Sequence, residues 1–146
     1  MDRLTYRRIL VPLEHSPADE TIVAYVRLLA KRQGSAIVFV HVADGWVARN
    51  IKELDLRESE EMRDDRAYLE EMCARFEAEG YDVDAVLAAG DPAKEIAAAA
   101  EREHCDLIAM ATHGHRLLED LVKGSTATAL RHQTTVPILM VRSERK

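Results

Sequence analysis

The chain has 146 residues, with 20 Lys or Arg against 26 Asp or Glu, a formal net charge of −6. That length fits one domain over residues 1–146 and allows burial of roughly 70% of the unfolded surface, enough for a core without staples. At 47% hydrophobic and 32% charged residues the composition excludes a disordered chain, and the acidic balance points away from nucleic acid and anionic membranes as partners.

The first apolar segment is Ile9, Leu10 and Val11. Ser16 then reads as a helix N-cap, with Pro17 at the first helical position and Asp19 and Glu20 in the first turn. Val23, Val26, Leu29 and Ala30 share one face, and Gly34 stops the helix. The second strand is predicted over Ala36 to Val42. A charged stretch from Lys52 to Arg66 follows, read as the solvated front of a helix and given no function. Tyr68, Leu69, Met72, Cys73 and Phe76 form that helix's apolar stripe before Gly80. The third strand, Val83 to Ala88, is interrupted by Asp84 and reads as an edge. Asp91 and Pro92 start another helix, with Ile96, Ala97 and Ala100 on its inner face. Leu107 to Ala111 is the fourth strand, and Val136 to Val141 the fifth.

Apart from the third, these strands are near-continuous apolar runs, as expected of strands covered on both faces in a parallel sheet. Strands alternating with helices predict a doubly wound α/β fold. The apolar runs are far shorter than a membrane span, and residues 1–15 show no secretory pattern. Cys73 and Cys105, both set among helical residues, form neither a framework nor a C-x-x-C pair, which predicts two reduced thiols in a cytoplasmic protein.

Doubly wound sheets bind ligands outside the carboxyl ends of their strands. The loop after the fourth strand is the most informative of these. It reads Ala111-Thr112-His113-Gly114, then nine residues, then Gly124-Ser125-Thr126. Glycines admit an anion close to backbone amides, and a helix start at Ser125 presents free N–H groups, so the loop suits phosphates. The alternative is a pair of glycines that only turn the chain. The order required of a Walker loop is absent, because Lys123 precedes its glycine, and no glycine follows the first strand as the dinucleotide fingerprint requires.

With these motifs in this order, the sequence resembles the universal stress protein family over almost its whole length. Ile9-Leu10-Val11-Pro12 followed by an acid and Ser16 is similar to the family's opening strand and loop. His41-Val42 is similar to the end of its second strand, Gly90-Asp91-Pro92 and Asp106-Leu107-Ile108 to its third crossover, and Val136-Pro137-Ile138-Leu139 to its closing strand. The spacing around Gly114, Gly124 and Ser125 matches its G-x2-G-x9-G-[ST] nucleotide motif. The resemblance implies five parallel strands in the order 3-2-1-4-5, a Rossmann-like sheet with helices on both faces. It implies an adenine nucleotide, ATP or else AMP or ADP, accompanied by Mg2+, bound as a regulatory ligand in stress adaptation. Glu14 then contacts the nucleoside and the backbone of Val42 reads the adenine edge, with Pro12 and Ser16 beside them. Ala111, Thr112, His113, Gly114, Gly124, Ser125 and Thr126 form the ribose and phosphate side. The resemblance also implies a homodimer through the last strand, Val136–Val141. A nucleotide-free homodimeric interaction protein and a slow ATPase are the alternative functions, and no catalytic residue stands out.

Three positions depart from the family pattern: Glu14 stands for Asp, His15 for Gly, and Ala111 for the first motif glycine. A methyl group at Ala111 fits if the backbone there needs only close approach, whereas a positive φ would force the loop to shift. His113 and His115, with His15 on the neighbouring loop, have metal-ligating chemistry, but no cysteine or acid completes the expected spacing, and no metal is assigned. His41 is read as a hydrogen-bonded, half-buried side chain. Trp46 either stacks on a base or covers apolar surface under a loop.

Overall fold

The computed structural model describes residues 5–43, 60–113 and 126–143. Within them the chain alternates strand and helix: β1 (Arg8–Pro12), α1 (Asp19–Gln33), β2 (Ala36–Ala43), α2 (Glu60–Ala78), β3 (Val83–Ala89), α3 (Pro92–Arg102), β4 (Leu107–His113), α4 (Thr126–Arg131) and β5 (Ile138–Ser143). The five strands form one sheet in the order β3-β2-β1-β4-β5, and every neighbouring pair is parallel. The predicted α/β architecture and strand order are therefore those of the structure.

Alternate residues of the central strands feed two separate cores. Ile9, Val11, Ile37, Phe39 and Ala109 face α1 and α2, where they meet Val26, Met72 and Phe76. Leu10, Val38, Val40 and Ile108 face the other way, against Ile96 and Ala99 of α3 and Leu130 of α4. Covering on both faces is what makes these strands apolar throughout, and each fully buried aliphatic or aromatic side chain contributes about 1.5–3 kcal/mol. The Phe39 and Phe76 rings pack edge to face with centroids 5.2 Å apart, a favoured aromatic geometry. β3, at the edge of the sheet, is only half-buried along most of its length, as the Asp84 interruption predicts.

Two helix boundaries read from sequence, a stop and a start, are present. Gly34 takes a left-handed φ of 73° at the end of α1, and its amide closes on the Ala30 carbonyl. Asp91 caps α3, its carboxylate accepting from the Lys94 amide, with Pro92 in the first turn. The start of α1 differs from expectation. Its N-cap position is Ala18, in helical conformation and without a side-chain cap bond. Ser16 Oγ instead accepts from the Ala18 amide at 3.2 Å, and the amides of Asp19 and Glu20 reach the carbonyls of Ser16 and Pro17. Ser16 thus holds a turn one step before the helix.

Strand ends differ as well. β4 runs on to His113 and β5 to Ser143, past the apolar residues that marked them, because the ladder continues through Thr112–Arg142 and His113–Ser143. β5 begins at Ile138 instead of Val136: the Val136 amide is taken by Thr134 Oγ1, and Pro137 has no N–H to give. Cys105 lies in the turn between α3 and β4, not in a helix. Among the described residues no helix is long and apolar enough to cross a membrane.

Candidate functional site

All five strands point their carboxyl ends the same way, and the direction of winding reverses between β1 and β4. That is the switch point at which such sheets leave a crevice. β1 and β4 pair only over Ile9–Leu107 and Leu10–Ile108. β1 stops at Pro12, whereas β4 continues to His113, so the two strands part at the top of the sheet.

The same early stop of β1 exposes an edge of β2. The β1–β2 register ends at Pro12–Val40, and the Leu13 amide donates to the Val40 carbonyl at 2.8 Å. Val40 therefore turns its backbone groups toward β1, and Val42, two residues on, turns its own the same way. In a continuing parallel ladder the Val42 amide would reach the Leu13 carbonyl. That carbonyl accepts from His41 Nδ1 at 2.8 Å. The β2 edge at Val42 thus runs past the end of β1 beside the crevice.

The loop leaving β1 is held by two carboxylates. Asp19, 1% exposed, accepts from the amides of Glu14 at 2.9 Å and His15 at 2.8 Å, and more weakly from that of Ser16 at 3.4 Å. Its Oδ2 also accepts from the Tyr68 hydroxyl at 2.6 Å. Burial, and then this bond to Asp19, pushes the Tyr68 phenol well above its ordinary value. Asp65, 5% exposed, is the second anchor: Oδ1 lies 2.7 Å from His15 Nδ1 and Oδ2 lies 3.2 Å from His41 Nε2. The His15 ring stacks on Tyr68 with centroids 4.1 Å apart. These contacts hold His15 at a φ of 63°, a left-handed conformation that suits glycine and costs other residues about 1 kcal/mol or more.

The predicted site residues fall around this crevice as follows. Pro12 ends β1, half-buried, and Glu14 and Ser16 lie on the pinned loop, Glu14 exposed. Val42 is half-buried near the end of β2. Ala111, Thr112 and His113 form the last three pairs of the β4–β5 ladder, and Thr126 opens α4. Gly114, Gly124 and Ser125, like Trp46 and His115, lie outside the described residues. Ala111 is an ordinary strand residue: the described non-glycine residues with positive φ are His15 and His104, and the Ala111 methyl packs on the α1–α2 core. No glycine-only conformation is needed there.

Asp65, Asp19 and Tyr68 were not singled out from sequence. Asp65 corrects the reading of Lys52 to Arg66 as solvated throughout. It is buried along with Leu69, Met72 and Phe76 on one stripe of α2, and an acid in register with an apolar stripe was the available signal. Asp19 read as a first-turn acid and proves to be a buried hub. His41 is hydrogen-bonded and half-buried as expected. Among the described residues no group of three or more His, Cys, Asp or Glu is arranged to hold a metal ion. A surface cavity of about 680 Å³ lies at the other end of the sheet, lined by Arg27, Lys31, Glu79 and Tyr81 among others, and contains none of the candidate residues.

Residues 5–142 match the family model described as the universal stress protein family. The chain belongs to this family. It is 32% identical over 147 residues to a universal stress protein of Methanothermobacter thermautotrophicus, covering 94% of this chain and 97% of the relative. It is 24% identical over 157 residues to universal stress protein MJ0577 of Methanocaldococcus jannaschii, covering 94% and 95%. The solved structure of hypothetical protein MJ0577 superposes with a TM-score of 0.79 at 23% identity, over 98% of this chain and 100% of that one. A universal stress protein of Archaeoglobus fulgidus solved in complex with dAMP superposes with a TM-score of 0.67 at 16% identity, over 94% and 99%. This universal stress protein therefore shares the fold of both.

Proposed function

We propose that this universal stress protein binds an adenine nucleotide, ATP, as a regulatory ligand in stress adaptation, in the crevice where β1 and β4 part. The observation that carries the reading is the β2 edge at Val42, whose backbone groups turn past the end of β1 beside the switch point. A peptide N–H and C=O on one edge match the donor and acceptor of an adenine. Two similar structures, solved in complex with dAMP and with cAMP, support an adenosine ligand on this fold.

In this proposal Val42 reads the base, and Glu14 contacts the nucleoside from the loop that Asp19 pins, with Pro12 and Ser16 beside it. Ala111, Thr112, His113 and Gly114 follow β4 to the ribose, and Gly124, Ser125 and Thr126 meet the phosphates. Mg2+ enters on the phosphate oxygens of ATP. The protein acts as a regulator in the cytoplasm, in keeping with its two free thiols, as a homodimer formed through β5. Mass spectrometry of gently purified protein tests the ligand class: the proposal expects an adenine nucleotide in the protein fraction or its uptake on addition of ATP, and a protein that takes up none contradicts it.

A further inference from the structure

His15 follows Pro12 on the loop where the chain has left the Val42 edge of β2 and parted from β4. Its backbone is left-handed, with a φ of 63°, a conformation strained for residues other than glycine. A glycine would make this turn without strain, and its amide could still reach Asp19 as that of His15 does. What a glycine would lack is the ring. Strain of this kind persists where the surroundings over-determine it, and it gathers at ligand sites.

The ring is fixed on two sides. Asp65 Oδ1, on a side chain 6% exposed, lies 2.7 Å from Nδ1, and Tyr68 stacks on the ring with the two planes 21° apart. A carboxylate only accepts, so Nδ1 carries the proton of this bond. The neutral ring therefore keeps its lone pair on Nε2. The two nitrogens of an imidazole direct their bonds to opposite sides, so Nε2 is turned away from Asp65 and α2. Among the described residues Nε2 has no hydrogen-bond partner, and the His15 side chain is 36% exposed.

We propose that His15 is a specificity-determining contact of the ligand crevice, its Nε2 accepting a hydrogen bond from a ribose hydroxyl of the nucleotide. Asp65 and Tyr68 are its positioning residues. The proposal rests on the nucleotide reading above. An adenine nucleotide offers few donors to such an acceptor. Its ionised phosphates only accept, and its amino group is matched to the Val42 edge, which leaves the ribose hydroxyls.

The test uses the whole chain and two readouts. In 15N-histidine NMR spectra at pH 8 without nucleotide, His15, assigned by its absence from His15→Gly, is expected to carry its proton on Nδ1 with Nε2 bare. A proton on Nε2 overturns the proposal. In parallel, calorimetry measures the binding of ADP, 2′-deoxy-ADP and 3′-deoxy-ADP to wild type and to His15→Gly, whose glycine accepts the left-handed backbone. Wild type is expected to bind ADP about two- to tenfold more tightly than one of the deoxy forms, the range for a single hydrogen bond. His15→Gly is expected to lose that preference. A wild type that binds all three equally overturns the proposal, as does a preference that survives in His15→Gly. An equal weakening of all three ligands in His15→Gly would give the ring a role in holding the loop alone, and overturns it too. Should His15→Gly fail to fold, His15→Asn, which tolerates the same backbone and carries no ring nitrogen, takes its place. If wild type binds none of the three, the nucleotide reading itself falls and this contact with it, an outcome distinct from ADP binding without a hydroxyl preference.

Discussion

The Tyr68 hydroxyl of α2 donates to Asp19 Oδ2 of α1 over 2.6 Å, joining the two helices at the point where Asp19 holds the loop leaving β1. Asp19→Ala strips a buried acceptor from the Glu14 and His15 amides and from the phenol together. Unpaired buried polar groups cost about 1–3 kcal/mol each, and water entering the gap recovers part, so a loss of about 2–4 kcal/mol is expected in urea denaturation. Tyr68→Phe removes one donor and should lose about 0.5–1.5 kcal/mol. The two changes should couple in a double-mutant cycle. An Asp19→Ala protein as stable as wild type would show that the loop does not depend on this carboxylate.

The thiols should be inert at neutral pH. Burial, more than the neighbouring Glu77, pushes Cys73 up to about 11, and burial likewise pushes Cys105 up to about 11. Because the folded values lie above the unfolded ones, the contribution to stability is complete below the unfolded value and is lost as pH rises through the folded one. Stability should therefore fall between about pH 9 and 11, and less steeply in Cys73→Ser. Cys73 packs on the α1–α2 core and Cys105 within the α3–α4 core, so the sheet separates them and no intramolecular disulfide should form. Rapid maleimide labelling of the folded protein at pH 7 would contradict this assignment.

The sheet was legible because burial on both faces writes itself into sequence as continuous apolar runs, and Asp84 marked the edge. Helix stops at Gly34 and the start at Asp91 were legible because each rests on local backbone chemistry. Polar strand ends such as Thr112 and Arg142 were not, since a ladder bond needs no particular side chain. The contacts that hold the loop leaving β1 were harder to see. His15 of the loop meets Asp65 and Tyr68 of α2 across 50 residues or more of sequence. Spacing carries no record of such meetings. The family pattern gave one clue: a glycine position filled by histidine asks what compensates the left-handed backbone, and Asp65 and Tyr68 are the answer.

The outer edge of β5 should be an interface. The strand flanks β4 at one end of the sheet, and Met140 is 48% exposed, an apolar side chain on an edge with backbone groups open to pairing. Light scattering at micromolar concentration is expected to give a dimer for wild type and a monomer for Met140→Asp. A wild-type monomer would remove β5 as the interface.

Base selectivity follows from the Val42 edge. Guanine exchanges the donor and acceptor that adenine offers there, leaving peptide groups unpaired at about 1–3 kcal/mol each. ATP is thus expected to bind at least about tenfold more tightly than GTP, since 1.4 kcal/mol is a factor of ten. Equal affinities for the two in competition experiments would move the base away from Val42.

The most direct measurement is calorimetric titration of the full chain with ATP, wild type beside Gly124→Val. The branched side chain would fill the space assigned to phosphate oxygens, so ATP binding to wild type and its loss in Gly124→Val, with circular dichroism and dimerisation unchanged, is the predicted result. An ATP affinity in Gly124→Val equal to that of wild type, or no binding by wild type at millimolar ATP, would contradict the assignment of this crevice to a nucleotide.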